Sequence, residues 1–273
     1  MALTLPTDAI TAIVRDAGAL ALAERAKGLT VEAKARQDFV TQADRAVEDL
    51  LRSKLTDLLP GSEFLGEEGG GARQAELLWV VDPIDGTTNY IRGLPHWCVS
   101  VALLEGGEPR FGAIFAPTLN WFYSAEKDQG ATRNGKPLWR KPVEPTQALV
   151  DLGQSPRQTM AMFGAVMGGL RERGVQFRVI GSGALGIAMT ASGEVDGFCE
   201  GHLWPWDVLA GMVIAREAGC HVSEFLEGDA IRNGNAALVA APGVEKALAA
   251  AAEDALADFL PRMLPAKLSP YER

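Results

Sequence analysis

Leu78-Trp79-Val80-Val81 is a continuous apolar, β-favouring run that leads straight into Asp82-Pro83-Ile84-Asp85-Gly86-Thr87-Thr88. The run predicts a short buried strand. A strand that delivers two carboxylates and then a glycine puts charged oxygens at the carboxyl edge of a sheet, where α/β folds keep their sites. Two anions this close repel unless a cation sits between them, and hard divalent cations prefer such oxygens. Amides exposed after Gly86, opening the next segment, suit a phosphate. The same residues also read as an Asp-Pro turn followed by an Asp-Gly turn, with no chemistry attached.

The chain has 273 residues, enough for one large domain or two tightly packed lobes. No apolar run approaches the roughly 18 residues that span a bilayer, and no basic stretch precedes an apolar core at the N-terminus. A membrane or secretory role is therefore not expected. Cys98, Cys199 and Cys220 are widely spaced and lack CxxC spacing, which suits small core residues in a reducing, cytoplasmic compartment. A formal net charge of −9 argues against nucleic acid as a partner, because phosphate backbones need clustered Lys and Arg.

Apolar residues at helical spacing predict a helix over 8–27, ended by Gly28, and a second from Thr41 to Pro60 with Ala43, Val47, Leu50, Leu51 and Leu55 as its stripe. Residues 33–37 read as a polar loop, 62–65 as a strand, and Gly69-Gly70-Gly71 as flexible. After the central motif, 98–104 and 111–115 read as paired strands of a meander reaching about residue 142. Lys141 to Pro145 marks the expected boundary between an N-terminal lobe, 1–145, and a C-terminal lobe, 146–273. In the second lobe, strands at 148–152, 177–180, 197–200 and 237–241 alternate with helices at 158–173, 183–191, 208–218 and 244–259, an α/β pattern. The tail from Pro261 is expected to lack regular structure.

Four acidic segments are candidates to converge: Asp44, Glu67, the Asp82/Asp85 pair, and Asp207. Each has a plain alternative. Asp207 precedes an apolar helix and suits an N-cap, Glu67 stands in a glycine-rich loop, and Asp44 suits a solvent-facing helix position.

Three segments in this order match a known pattern: Gly66-Glu67-Glu68, Trp79 to Tyr90, and Trp206-Asp207-Val208-Leu209-Ala210-Gly211. Upstream, Asp38-Phe39-Val40-Thr41-Gln42-Ala43-Asp44 matches an Asp-x-Val-Thr-x-x-Asp segment. With them the chain resembles the inositol monophosphatase family, magnesium-dependent and lithium-sensitive phosphatases related to fructose-1,6-bisphosphatase. The resemblance covers about residues 30–240. It implies an α/β fold, an α+β N-terminal lobe and an α/β C-terminal lobe layered as an αβαβα sandwich, and homodimers.

It also implies a site. Glu67, Asp82 and the Ile84 carbonyl would hold one Mg²⁺, and Asp82, Asp85 and Asp207 a second, with two or three ions in all. Glu67 and Thr87 would orient the attacking water, and Asp44 would fix the Thr87 hydroxyl. The amides of Gly86 and Thr87 would receive phosphate oxygens, while Gly181-Ser182-Gly183, Glu200, Asp85 and Asp207 would contact the rest of the substrate. Lys34 matches a family lysine in a loop one residue shorter here. Phosphate-monoester hydrolysis requires the barrier to fall by on the order of 20 kcal/mol, of which one general base supplies only about 3–5. Carboxylate-rich, histidine-poor motifs fit that demand. The implied substrate is a small polyol phosphate, inositol-1-monophosphate first, with a 3'(2'),5'-bisphosphate nucleotidase or a histidinol-phosphate phosphatase as alternatives. His202-Leu203-Trp204-Pro205-Trp206 departs from the family's His-Cys-Trp pattern, which bears on the alcohol accepted.

One rival comes from another class. Gly181-Ser182-Gly183-Ala184-Leu185-Gly186 is a literal GxGxxG after a plausible strand, the fingerprint of an NAD-dependent oxidoreductase. It leaves all four acidic segments unexplained.

Overall fold

The computed structural model describes residues 3–35, 38–155, 157–256 and 263–264. Helix α1 (Thr7–Lys27) follows Pro6 rather than a side-chain cap and ends at Gly28. Strands β1 (Val31–Ala35) and β2 (Asp38–Thr41) then pair antiparallel, where the sequence predicts a loop over 33–37. Val31, Glu32 and Ala33 are exposed, and a strand on the outside of a hairpin needs no apolar face, so polarity alone does not separate it from a loop. The side chains of Lys34 and Asp38 lie outside the described residues. Helix α2 (Gln42–Leu58) opens on a capping box: Thr41 Oγ1 accepts the Ala43 N–H at 3.1 Å, and Asp44 Oδ2 accepts the Thr41 N–H at 2.8 Å.

The first sheet follows: β3 (Glu63–Gly66), β4 (Gly70–Gly71), β5 (Leu77–Asp85), helix α3 (Thr87–Arg92), β6 (Cys98–Glu105), β7 (Glu108–Ala116), β8 (Trp121–Glu126), β9 (Gly130–Arg133) and β10 (Lys136–Leu138). Its order is β10-β9-β8-β7-β6-β5-β3-β4, antiparallel except for the β3–β5 pair. Of the three glycines expected to be flexible, Gly70 and Gly71 form β4, paired with Gly66 and Leu65, because ladder bonds need only backbone.

The second sheet is built from β11 (Leu149–Leu152), helix α4 (Met160–Glu172), β12 (Gln176–Arg178), helix α5 (Gly183–Ser192), β13 (Gly197–Leu203), helix α6 (Pro205–Glu217), β14 (His221–Ser223), helix α7 (Ala230–Asn233), β15 (Asn235–Ala240), helix α8 (Glu245–Leu256) and β16 (Met263–Leu264). Its order is β12-β11-β13-β15-β14-β16, with β12, β11 and β13 parallel. Met263 and Leu264, in the tail expected to be irregular, pair with Ser223 and Val222. The remainder of the 261–273 tail and residues 257–259 of the last expected helix lie outside the described residues.

Five layers result. Helices α1 and α2 pack against one face of the first sheet, α5 and α6 fill the space between the sheets, and α4 with α8 cover the far face of the second. This is the layered α/β sandwich that the resemblance implies. Helices α5 and α6 are apolar nearly all round, as a helix sandwiched by two sheets must be. Strand alternation assigns the faces. Trp79, Val81, Val99 and Val101 join the core of α1 and α2, while Leu78, Val80, Cys98 and Ala102 join that of α5 and α6. Asp82 continues the Leu78–Val80 face, so the pleat itself aims its carboxylate at the middle layer.

Candidate active site

The motif residues lie inside β5, which runs on to Asp85 instead of stopping at Val81. Its pairing to β6 breaks register between Asp82, opposite Ser100, and Asp85, opposite Cys98. Pro83 falls in that irregularity, beyond the last pair with β3, where its missing N–H costs no ladder bond. The break lets both acids face inward. Asp82 Oδ1 accepts the Ile84 N–H at 2.9 Å.

Gly86 turns the chain out of the strand at φ +86°, in the left-handed region. A Cβ there would lie 3.0 Å from both His96 O and Ser182 Cβ, so a side chain would be strained by its backbone and crowded by both neighbours. Helix α3 begins at once, and Asn89 Nδ2 donates to His96 O at 2.6 Å and Ile180 O at 2.9 Å. That amide ties the motif to the segment before α5.

Three carboxylates converge: oxygens of Asp82, Asp85 and Asp207 lie within 4.8 Å of one another. Asp207 occupies the first turn of α6, which starts three residues earlier than the sequence predicts because Pro205 is pre-set for a first helical position. It is not the N-cap. Its Oδ2 instead accepts the Trp204 N–H at 2.8 Å. Ser100 Oγ donates to Trp206 O at 2.9 Å and pins this helix start to β6.

Burial and the neighbouring charges of Glu67, Asp85, Asp207 and Asp44 push the Asp82 carboxyl far above the usual range. Asp207 is raised by burial, Asp85 and Glu67, and Asp85 by burial against hydrogen bonds that favour its charge. Such a cluster of hard oxygens, each held back from ionising by burial, and Asp82 and Asp207 by neighbouring acids as well, is what a divalent cation relieves. The residues present fit one.

Asp85 also explains the glycine-rich segment. Its Oδ2 accepts the Ala184 N–H at 2.8 Å and a short bond from Ser182 Oγ, with Gly183 and Leu185 amides contributing. The start of α5, which a dinucleotide pyrophosphate would need, already holds a carboxylate, and the GxGxxG reading falls with it. Gly181, Ser182 and Gly183 stand beside the acids, and Cys98 Sγ lies 3.7 Å from Asp85 Oδ2.

Glu67 follows β3, half-buried, with its N–H on Val81 O at 3.2 Å. It is outside the tight trio but is the foremost charge acting on Asp82. Asp44 is fully buried, which removes the solvent-facing alternative, and its Oδ2 also accepts Thr41 Oγ1 at 2.7 Å. The Thr87 hydroxyl, expected on Asp44, donates to Ile84 O at 3.0 Å. Glu200, 8% exposed on β13, carries a carboxyl raised by burial and by Asp207, Asp85 and Asp151. Gly153 backs it so closely that a Cβ would overlap its carboxylate.

The sequence does not reveal Cys98, Ser100, Asn89 or Asp151. Asp151 is buried on β11, accepts the Ile180 N–H at 2.9 Å, and has its carboxyl pushed up to about 7 by burial. Asn89 stands within the central motif and is the one a motif reading would flag. The others depend on strand register.

The model of the inositol monophosphatase family matches residues 5–257. The Nus factor SuhB of Xylella fastidiosa is 37% identical over 209 residues, 75% of this chain and 75% of that protein. An IMPase from Thermotoga maritima shares the fold at TM-score 0.79 and 28% identity, over 90% of this chain and 96% of its own. SaIMPase-II of Staphylococcus aureus, solved with inositol monophosphate bound and with 2'AMP bound, gives a TM-score of 0.75 at 25% identity, over 92% and 93% of the two chains. Motif, layered fold and buried acids agree with these likenesses, and the chain belongs to the inositol monophosphatase family.

Proposed function

We propose that this protein is a Mg²⁺-dependent phosphomonoesterase acting on small polyol phosphates, with inositol-1-monophosphate the first substrate to assay. The observation that carries the reading is the convergence of Asp82, Asp85 and Asp207 from β5 and α6. Asp82, Asp85, Asp207, Glu67 and the Ile84 carbonyl are the proposed ligands. When bound, Mg²⁺ supplies positive charge that acidifies water and steadies charge on phosphoryl oxygens.

The chain's own groups do the rest. Amides of Gly86 and Thr87 take phosphate oxygens, and Glu67 and the Thr87 hydroxyl orient the attacking water. Asp44, buried and acting on the charge of Asp82, would accept a hydrogen bond from the Thr87 hydroxyl and fix its direction, in place of the Ile84 carbonyl that the hydroxyl meets here. Glu200 faces the alcohol portion, and its carboxyl, raised first by burial and then by Asp207, Asp85 and Asp151, is one that a substrate hydroxyl can engage. Gly181, Ser182 and Gly183 form the adjoining wall.

A bisphosphate nucleotidase is a second reading, and Arg157 favours it. This exposed guanidinium lies 4.5 Å from the Trp204 ring centroid, and its Nη1 is 2.6 Å from His202 Nε2, so two residues between Glu200 and Asp207 hold a cation at the rim. A second phosphate would meet it there. Histidinol phosphate completes the set. The test is phosphate release with Mg²⁺, with and without lithium, from inositol-1-phosphate, adenosine 3',5'-bisphosphate, 2'AMP and histidinol phosphate. Preference for the first supports the proposal; preference for the bisphosphate, lost in R157A, supports the second reading.

Among the described residues no helix is long and apolar enough to cross a membrane. A cytoplasmic, homodimeric enzyme is the proposed form. Relatives named Nus factor make binding of another macromolecule a separate activity to assay. D82N distinguishes the two, since it removes hydrolysis without touching an outer surface.

A further inference from the structure

Asp44, Glu48 and Arg52 recur every four residues along α2 and so share one face of it. Glu48 is only 3% exposed, and its carboxylate is fully engaged. Oε2 accepts the Glu68 N–H at 2.8 Å, and Oε1 accepts the Gly69 N–H at 2.8 Å and Arg52 Nη2 at 2.8 Å. Arg52 reaches on to Gly70 O at 3.0 Å and lies 4.2 Å from the Phe64 ring centroid. Gly66 and Gly69 close on the carboxylate so tightly that a Cβ at either would overlap it.

Glu67 stands in the middle of this grip. Its own N–H is bonded to Val81 O, the carbonyl just before Asp82, and the two amides after it are bonded to Glu48. Charge-assisted bonds to backbone N–H groups are about twice as strong as neutral ones. A carboxylate buried here destabilises the fold unless every oxygen is satisfied, and Arg52 with the two amides satisfies both.

From this geometry we infer that Glu48 is a positioning residue for the metal centre. Clamped by Arg52, it fixes the peptides at Glu68 and Gly69 so that Glu67 presents its carboxylate beside Asp82. The inference rests on the proposed reading of Glu67 as a Mg²⁺ ligand.

Glu48→Gln tests it in the full chain. The amide keeps the volume but turns an NH₂ toward the Glu68 N–H, donor against donor. Outer-shell substitutions weaken metal binding or activity roughly 10- to 100-fold. By calorimetry and by the Mg²⁺-induced rise in Tm, half-saturating Mg²⁺ is expected to increase about tenfold in E48Q. The kcat falls, recovers partly at high Mg²⁺, and KM for inositol-1-phosphate holds. Backbone exchange quickens at 67–70.

A role confined to stability would lower Tm and leave Mg²⁺ half-saturation alone, and that result overturns the inference while the phosphatase reading stands. A wild-type protein that neither binds Mg²⁺ nor releases phosphate overturns both. If E48Q fails to fold, E48D carries the same test, because it keeps the charge and withdraws the oxygens from the loop by one methylene.

Discussion

Asp82 is costly to the protein as a bare anion. Its burial and four acidic neighbours raise its carboxyl far above the ordinary range, so the ionised form strains the metal-free fold. Asp82→Asn is expected to raise Tm in EDTA, to abolish the Mg²⁺-induced rise, and to lower kcat by several orders of magnitude; differential scanning fluorimetry and phosphate release check this. Asp151 gives a pH test away from the ligands. Its carboxyl titrates at about 7 in the folded chain against 3.8 ordinarily, so between those values only the folded state keeps the proton. Stability from this group is therefore present at low pH and lost as pH rises through about 7. The Tm advantage of D151N over wild type should grow from pH 5 to pH 8, and a constant difference would contradict it. Asp82, Asp85 and Gly86 were legible because they are contiguous and chemically unusual together. Asp151, Cys98 and Glu48 were not, since Ile180, Asp85 and Gly69, which they meet, lie 29, 13 and 21 positions away and only tertiary packing brings them close.

Elements whose period the core dictates were legible: the stripes of α1 and α2, and the β6–β7 hairpin across Gly106-Gly107, sit where spacing puts them. Elements that put little side chain into the core were not, which is why the exposed β1 and the glycine pair of β4 escape a pattern built on side chains, and β14 is only three residues long. The junction of β5 and α3 turns on Gly86, and its substitution is the sharpest element-scale test. Gly86→Ala forces a left-handed residue, about 1–2 kcal/mol, and puts a methyl 3.0 Å from His96 O. Urea unfolding should show at least that loss, and Mg²⁺-dependent hydrolysis should drop with it. A variant of native stability and turnover would remove Gly86 from the account. Glu200→Ala, on β13, is expected to raise KM for inositol-1-phosphate more than it lowers kcat; steady-state kinetics decide, and an unchanged kcat/KM would place Glu200 outside the substrate.

At the scale of the molecule, five layers bring distant acids to one place. The first sheet supplies Asp82 and Asp85, and the helices between the sheets supply Asp207 and the amides that hold Asp85. The α/β character of the second half was legible from the alternation of strands and helices, whereas the layering and the meeting of β5 with α6 followed only from the resemblance, because single-sequence patterns carry no packing partner. The central claim is that these acids hold Mg²⁺ for phosphomonoester hydrolysis. Its most direct test is to strip the protein with EDTA and titrate Mg²⁺ while following phosphate release from inositol-1-phosphate. No release is expected without metal, with saturable recovery on adding Mg²⁺ and none in D82N. Full release in EDTA, or recovery in D82N equal to wild type, would contradict it.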